Sequence, residues 1–232
     1  MGPDNHGSAQ RAIKYVFDLD GTISDPAVGI GRSINHALRC FDYPAISARD
    51  VSKFIGPPLD DTFRRIVGSA TEERIVGLVA KYRERYAEIG YSENVIYPGM
   101  VEVLGCLDEA GIGLALCTSK RSDFAERILA RFGIRDRFRV LSGGDIGISK
   151  EKQLADLLDR RLIDKSSIMI GDRAVDIAAA KANGLRSAGV LWGHGSLEEL
   201  RAASPDFLLA SPHALLEHAH MAEQPLPSVN AP

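Results

Sequence analysis

Apolar and polar positions alternate with two different periods along this chain, and the change of period divides it. Ile13 to Asp18 is a short apolar run that predicts a buried strand. For some seventy residues after Thr22 the spacing is helical, with no convincing strand. Ile30, Ile34, Ala37, Leu38 and Phe41 mark one helix. Leu59, Phe63, Ile66 and Val67 mark a second, begun by Pro57 and Pro58, and Ile75, Leu78, Val79, Tyr82 and Tyr86 a third. From Tyr97-Pro98-Gly99 onward strands and helices alternate. Met100 to Ala110 predicts a helix, Gly113 to Cys117 a strand, Asp123 to Phe132 a helix and Arg139 to Leu141 a strand. Lys150 to Arg161 follows as a helix, Ser167 to Ile170 as a strand and Ala174 to Asn183 as a helix, with edge strands at Ser187–Leu191 and Phe207–Leu209.

Repeated strand–helix units predict an α/β fold with a doubly wound parallel sheet covered on both faces. The helical block reads as a module inserted into it. The expected division is residues 1–23 and 96–222 for the α/β core, 24–95 for an all-α cap and 223–232 for a flexible tail carrying three prolines within the last dozen residues. Residues 1–10 are polar and Gly-rich, which predicts disorder.

Composition narrows the function classes. Of 232 residues, 45% are hydrophobic and 25% charged, ordinary for a globular protein, and a net charge of -3 gives no reason to expect nucleic acid or an acidic membrane surface as partner. No apolar run approaches the ~20 residues of a membrane helix, and no secretory signal core stands at the start, so the cytoplasm is the expected compartment. The three cysteines, Cys40, Cys106 and Cys117, are odd in number and far apart, which suits neither a disulfide frame nor a metal knuckle.

The candidate chemistry lies where apolar strands end, the edge at which open α/β sheets bind ligands. In Val16-Phe17-Asp18-Leu19-Asp20-Gly21-Thr22 two carboxylates sit two positions apart, so an extended backbone turns Asp18 and Asp20 to one face. Gly21 lets the chain turn and expose N–H groups that can hold an anion, with Thr22 beside it. Carboxylates ~4 Å apart at an effective dielectric of ~20 repel by on the order of 4 kcal/mol, which a shared proton or a cation must relieve. Thr118-Ser119-Lys120 follows the second core strand. Lys150 opens a helix after the Gly-rich stretch 143–147, with Lys152 a near competitor. Gly171-Asp172-Arg173-Ala174-Val175-Asp176 follows Ile168-Met169-Ile170 and places two carboxylates one helical turn apart. Each cluster read alone is also a common turn, cap or solvated surface. Together they supply four carboxylates, a hydroxyl and an ammonium at successive strand ends. Hard oxygen donors suit Mg²⁺, and an aspartate near Mg²⁺ and a lysine can attack a phosphoryl group.

These four stretches resemble the haloacid dehalogenase superfamily of phosphatases, over nearly the whole chain from Asp18 to about Leu216. The resemblance implies a Rossmann-like core with a helical cap and an Mg²⁺-dependent hydrolase of small phosphate monoesters. Asp18 would be the nucleophile and a metal ligand. Asp20 would be the general acid–base, with its backbone carbonyl on the metal. Thr118 would bind the transferring phosphoryl group, and Lys150 would neutralise it, preferred over Lys152 because Gln153-Leu154 then fall in familiar register. Asp172 and Asp176 would complete the metal site. Phe54-Ile55-Gly56-Pro57-Pro58-Leu59, Thr118-Ser119-Lys120 and Gly193-His194-Gly195-Ser196 look like the phosphoglycolate phosphatase and 5′-nucleotidase subgroup. Gly21, Thr22, Ser119, Gly56 and Arg64 are the expected substrate contacts. Arg64 falls at the edge of its helix's buried stripe, where it could meet a second substrate anion or lie on a solvated face. The expected partner is a small phosphorylated metabolite, and the protein a monomer or weak homodimer.

Competing chemistries fit less well. Dehalogenases of the same superfamily lack the second aspartate, whereas a phosphomutase shares every core residue. A cysteine-based phosphatase needs an Arg six residues after its nucleophile, and Asp123 stands there after Cys117. A phosphate loop needs Gly-Lys-Ser/Thr, and Lys150 follows Ser149. Gly29-Ile30-Gly31 lacks the third glycine of a dinucleotide fingerprint. The six histidines show no paired ligand spacing. A catalytically dead scaffold would be expected to have lost a carboxylate, and none is missing.

Overall fold

A computed structural model describes residues 13–144 and 148–223, with side chains through residue 219. The expectations for residues 1–10, for the tail and for 145–147 of the Gly-rich stretch lie outside or at the limit of that range.

The first strand, β1 (Ile13–Phe17), is followed by a two-residue strand β2 (Ser24–Asp25) and three helices, α1 (Ala27–Cys40), α2 (Leu59–Val67) and α3 (Glu72–Glu88). A second two-residue strand, β3 (Val95–Ile96), precedes α4 (Met100–Glu109), β4 (Gly113–Arg121), α5 (Ser122–Arg131), β5 (Phe138–Gly144) and α6 (Lys150–Asp159). Then come β6 (Ile168–Gly171), α7 (Ala174–Ala182), β7 (Arg186–Val190), α8 (Leu197–Ala203), β8 (Phe207–Leu209) and α9 (Ala214–Glu223). Six strands form one parallel sheet in the order β5-β4-β1-β6-β7-β8.

Period-two alternation explains why helices cover both faces. Tyr15 and Phe17 of β1, Leu114 and Leu116 of β4, and Ile168 and Ile170 of β6 join one buried cluster with Val103, Leu104 and Leu107 of α4 and Ala125, Ile128 and Leu129 of α5. Their alternates Val16, Ala115, Cys117 and Met169 join a second with Leu154 and Leu157 of α6 and Ala179 and Ala180 of α7. Register then places the chemistry. Phe17 pairs with Leu116 on one side and Ile170 on the other. Asp18, Thr118 and Asp172 consequently leave the sheet at its carboxyl edge within a residue or two of one another.

The helical module has its own buried cluster, with Ile30, Ile34, Leu38, Phe63, Ile75, Leu78, Tyr82 and Tyr86 at its centre and Phe124 of α5 joining it from below. β2 and β3 pair antiparallel, Ser24 with Ile96 and Asp25 with Val95, and bring the module's entry and exit together. Pairing of two residues leaves no period to read, which is why the sequence showed no strand there.

Other departures have local causes. β4 runs on to Arg121, so Thr118-Ser119-Lys120 is the strand's own end rather than a turn after it. β7 is interior, because β8 pairs outside it and forms the edge. α8 went unforeseen although Ser196 caps it, accepting from the Glu199 amide at 3.0 Å.

Phe63 is fully buried and meets Tyr82 edge-on, their centroids 6.4 Å apart. Phe63→Ala should lower unfolding free energy by about 3–5 kcal/mol, measured by urea denaturation.

Candidate active site

Asp18 leaves β1 with its amide donating to the Ile170 carbonyl at 2.9 Å, so the central ladder extends to the residue that carries the carboxylate. Its Oδ1 lies 3.0 Å from Lys150 Nζ, and the same ammonium hydrogen-bonds Asp176 Oδ1. Lys150 is the first residue of α6, oriented by the Ser149 cap. Burial alone would lower its pKa, but attraction to Asp176 and Asp18 prevails and holds it above the ordinary lysine range. Lys152 is exposed, so the sheet side of α6 is left to Lys150.

Asp172 follows β6 and is fully buried. The His194 amide donates to its Oδ2 at 2.8 Å, and the Thr22 hydroxyl stands 3.5 Å from its Oδ1. Asp176 accepts from the Arg173 amide at 3.0 Å, which fixes it on the first turn of α7. Asp18, Asp172 and Asp176 each offer an oxygen within 4.8 Å of the others. Asp172 is pushed up to about 7, by burial first and then by the charges of Asp18 and Asp176. Asp176 is pushed up to about 6 by burial, with Lys150 pulling it back. Three buried carboxylates converging on one point, two of them held well above the ordinary carboxylate range, fit a hard divalent cation.

Two glycines permit this crowding. Gly21 has φ +88°, and a Cβ there would run into the Asp172 carboxylate; a Cβ at Gly193 would meet the Asp172 side chain and the Gly21 carbonyl. Trp192 Nε1 donates to the Thr22 carbonyl at 2.9 Å and ties the same two loops.

Asp20 stands apart. The sequence turned four carboxylates to one point, and among the described residues the cluster holds three. Asp20 Oδ2 instead lies 2.7 Å from Lys120 Nζ, which draws it toward β4. Thr118 is buried on that strand, its hydroxyl accepting from the Lys120 amide at 3.2 Å and its carbonyl from Gln153 Nε2 at 3.1 Å. Ser119, next along, is exposed. Arg64 pairs with Asp60 at 2.9 Å and Glu72 at 2.8 Å, with 42% of its side chain exposed. Those partners belong to the helical module, and the structure does not bring Arg64 to the carboxylates.

Three participants escaped the sequence reading as site residues. Lys120 was legible in principle, since it is two positions beyond Thr118 and a strand turns such residues to one face. Arg173 donates through Nη1 to the Ile55 carbonyl at 2.8 Å and through Nε to Glu199 at 2.9 Å, joining the carboxylate loop to the segment before Gly56. Gly56 has φ +104°, and a Cβ there would lie 3.5 Å from Arg173 Nη1. His194 places its ring 3.2 Å from Asp25. Contacts this distant in sequence leave no spacing to read.

The raised carboxyls carry a pH signature. A carboxyl whose folded pKa exceeds the ordinary 3.8 contributes stability below that value and loses it as pH rises through the folded pKa. In chelator, the melting temperature should therefore fall between pH 4 and 7, and Asp172→Asn should flatten that slope in scanning calorimetry.

The family model of the haloacid dehalogenase-like hydrolases matches residues 15–190. A 5′-nucleotidase of Pseudomonas aeruginosa is 36% identical over 212 residues, spanning 90% of this chain and 96% of that protein. A phosphoglycolate phosphatase of Vibrio parahaemolyticus is 33% identical over 220 residues, with the same coverage. Among solved structures, Protein Tyrosine Kinase A of Mycobacterium tuberculosis superposes with a TM-score of 0.75 at 32% identity, covering 89% of this chain and 98% of that one. With strand ends, buried carboxylates and lysine all inside the matched span, the chain belongs to the haloacid dehalogenase-like hydrolases.

Proposed function

We propose that this protein is an Mg²⁺-dependent phosphatase of small phosphate monoesters that works through an aspartyl-phosphate on Asp18. The observation that carries the reading is the division of labour among the carboxylates. Asp18 sits with Asp172, Asp176 and Lys150, while Asp20, two residues on, is held separately. An oxygen of Asp18 attacks phosphorus and the bond to the leaving oxygen breaks, that oxygen taking a proton from Asp20. Asp20 then takes a proton from water as the water attacks phosphorus. Phosphate departs and the Asp18 carboxylate is restored. Lys150 and the Thr118 hydroxyl offset the phosphoryl charge, and Gly21, Thr22 and Ser119 bound the pocket for it. Asp18, Asp172, Asp176 and the Asp20 carbonyl would hold the cation, which when bound supplies charge neutralisation at the phosphoryl oxygens.

The α/β core, residues 1–23 and 96–222, carries this chemistry, and the helical module, 24–95, selects the substrate through its Phe54–Leu59 segment and Gly56. Phosphoglycolate is the first candidate, favoured by the Vibrio relative, and 5′-nucleotides the second, favoured by the Pseudomonas relative. The similarity to a tyrosine kinase adds a third acceptor question, since a hydroxyl in place of water would make the second step a transfer. Release of inorganic phosphate separates the two. Among the described residues no helix is long and apolar enough to cross a membrane, and we place the enzyme in the cytoplasm, acting on a small phosphorylated metabolite as a monomer or weak homodimer.

Asp18→Asn keeps the shape and removes the nucleophile, so phosphate release should fall at least roughly a thousandfold while the circular dichroism spectrum is retained. Chelation should abolish turnover and Mg²⁺ restore it. Millimolar Ca²⁺ should inhibit, because its larger shell recruits further carboxylate oxygens. Full activity after exhaustive chelation would refute the metal assignment.

A further inference from the structure

Lys120 is a buried cation that the phosphoryl chemistry leaves without a task. Only 8% of its side chain is exposed. Its ammonium lies 2.7 Å from Asp20 Oδ2 and 2.6 Å from the Tyr86 hydroxyl. It also stands 4.8 Å from the centroid of the Tyr86 ring. The other oxygen of Asp20, Oδ1, is buried and has no hydrogen-bond partner among the described residues. One oxygen is thus anchored and the other left for a proton transfer. Tyr86 belongs to α3 of the helical module and is itself fixed, stacked on Tyr82 at 5.5 Å and edge-on to Phe124 of α5 at 5.2 Å. The chain of contacts runs from module to cation to carboxylate.

We infer that Lys120 is a positioning residue: it holds Asp20 with Oδ1 presented to the leaving oxygen, and Tyr86 seats the ammonium, so the acid–base geometry depends on the helical module. The inference rests on the phosphatase reading above. An ion pair between a strand end and the Asp20 loop fixes a carboxylate far better than the loop alone, because a buried ammonium that abandoned Asp20 would be left without a counter-charge. A tyrosine adds a charge-assisted hydrogen bond to the same cation.

Leaving-group dependence tests this. A p-nitrophenolate leaves without a proton, whereas the alkoxide of glycerol 2-phosphate needs one. kcat/KM covers only the steps through leaving-group departure and so isolates the proton donation. In the Lys120→Met enzyme kcat/KM should fall at least roughly tenfold further for glycerol 2-phosphate than for p-nitrophenyl phosphate. Tyr86→Phe should shift the ratio the same way by about threefold, and its effect should vanish in the Lys120→Met background, since it acts through Lys120. Equal losses on both substrates, or additive effects of the two substitutions, would overturn the inference. So would a loss confined to KM for phosphoglycolate, which would make Lys120 a ligand for the substrate carboxylate. If Lys120→Met fails to fold, the Tyr86→Phe ratio decides alone. A wild-type enzyme that releases phosphate from neither ester, nor from phosphoglycolate or a 5′-nucleotide, would overturn the phosphatase reading, and this inference with it.

Discussion

A single ammonium balances the charge on which the site depends. Lys150 is enclosed between Asp18 and Asp176, with Asp172 close by. Without it the carboxyl edge of the sheet would bury three carboxylates against one another, and burial already drives Asp172 and Asp176 well above the usual range. Breaking such a pair is costly because the remaining charge is stranded. α6 must therefore begin where it does, and β1, β6 and α7 must converge on its first residue. The packing of Leu154 and Leu157 against Val16, Ala115 and Met169 secures that start. The fold and the chemistry are joined at this lysine.

The cation at Lys120 repeats the device on the other side of β1. Each lysine neutralises a different aspartate of the Asp18-Leu19-Asp20 pair, and Leu19 between them is buried in the core. The strand ends at Phe17, so the two carboxylates are free of its alternation and part toward separate partners. One sits in the carboxylate cluster with Asp172 and Asp176, the other is held apart beside Lys120. A pair of chemically identical side chains acquires two roles from environment alone.

Much of this was legible in the sequence. Strong periods marked the helices and core strands, and the Asp18/Asp20, Thr118, Lys150 and Asp172/Asp176 clusters each followed an apolar strand. A parallel sheet brings strand ends together whatever the loops between them do, so Asp18, Asp172 and Asp176 are expected at one edge, while Lys150 in preference to Lys152 rests on the resemblance to the haloacid dehalogenase superfamily. What escaped at the site lies in contacts between segments distant in sequence. The parting of Asp20 from the other carboxylates follows its pairing with Lys120 of β4, and the Tyr86 hydroxyl on Lys120 and the Arg173 bridge to Ile55 depend on how the helical module sits over the sheet. Phe124 of α5 packs into the module's cluster, a contact that no spacing encodes. Arg64 shows the converse. Its place at the edge of a buried stripe allowed a substrate contact, but the nearby Asp60 and Glu72 meet it first.

The pairing of Ser24–Asp25 with Val95–Ile96 has an architectural consequence. Seventy residues depart from the sheet and return to it through two strands lying about 5 Å apart. The Tyr97 amide closes the gap on the Ile23 carbonyl at 3.1 Å. To the α/β core the whole insertion is therefore no longer than a hairpin turn. Excising it and joining the stubs with a few residues would leave every strand of the large sheet in register. A different insertion with the same narrow footprint could be grafted in its place with the strands below undisturbed, provided it brings its own partner for the Lys120 ammonium.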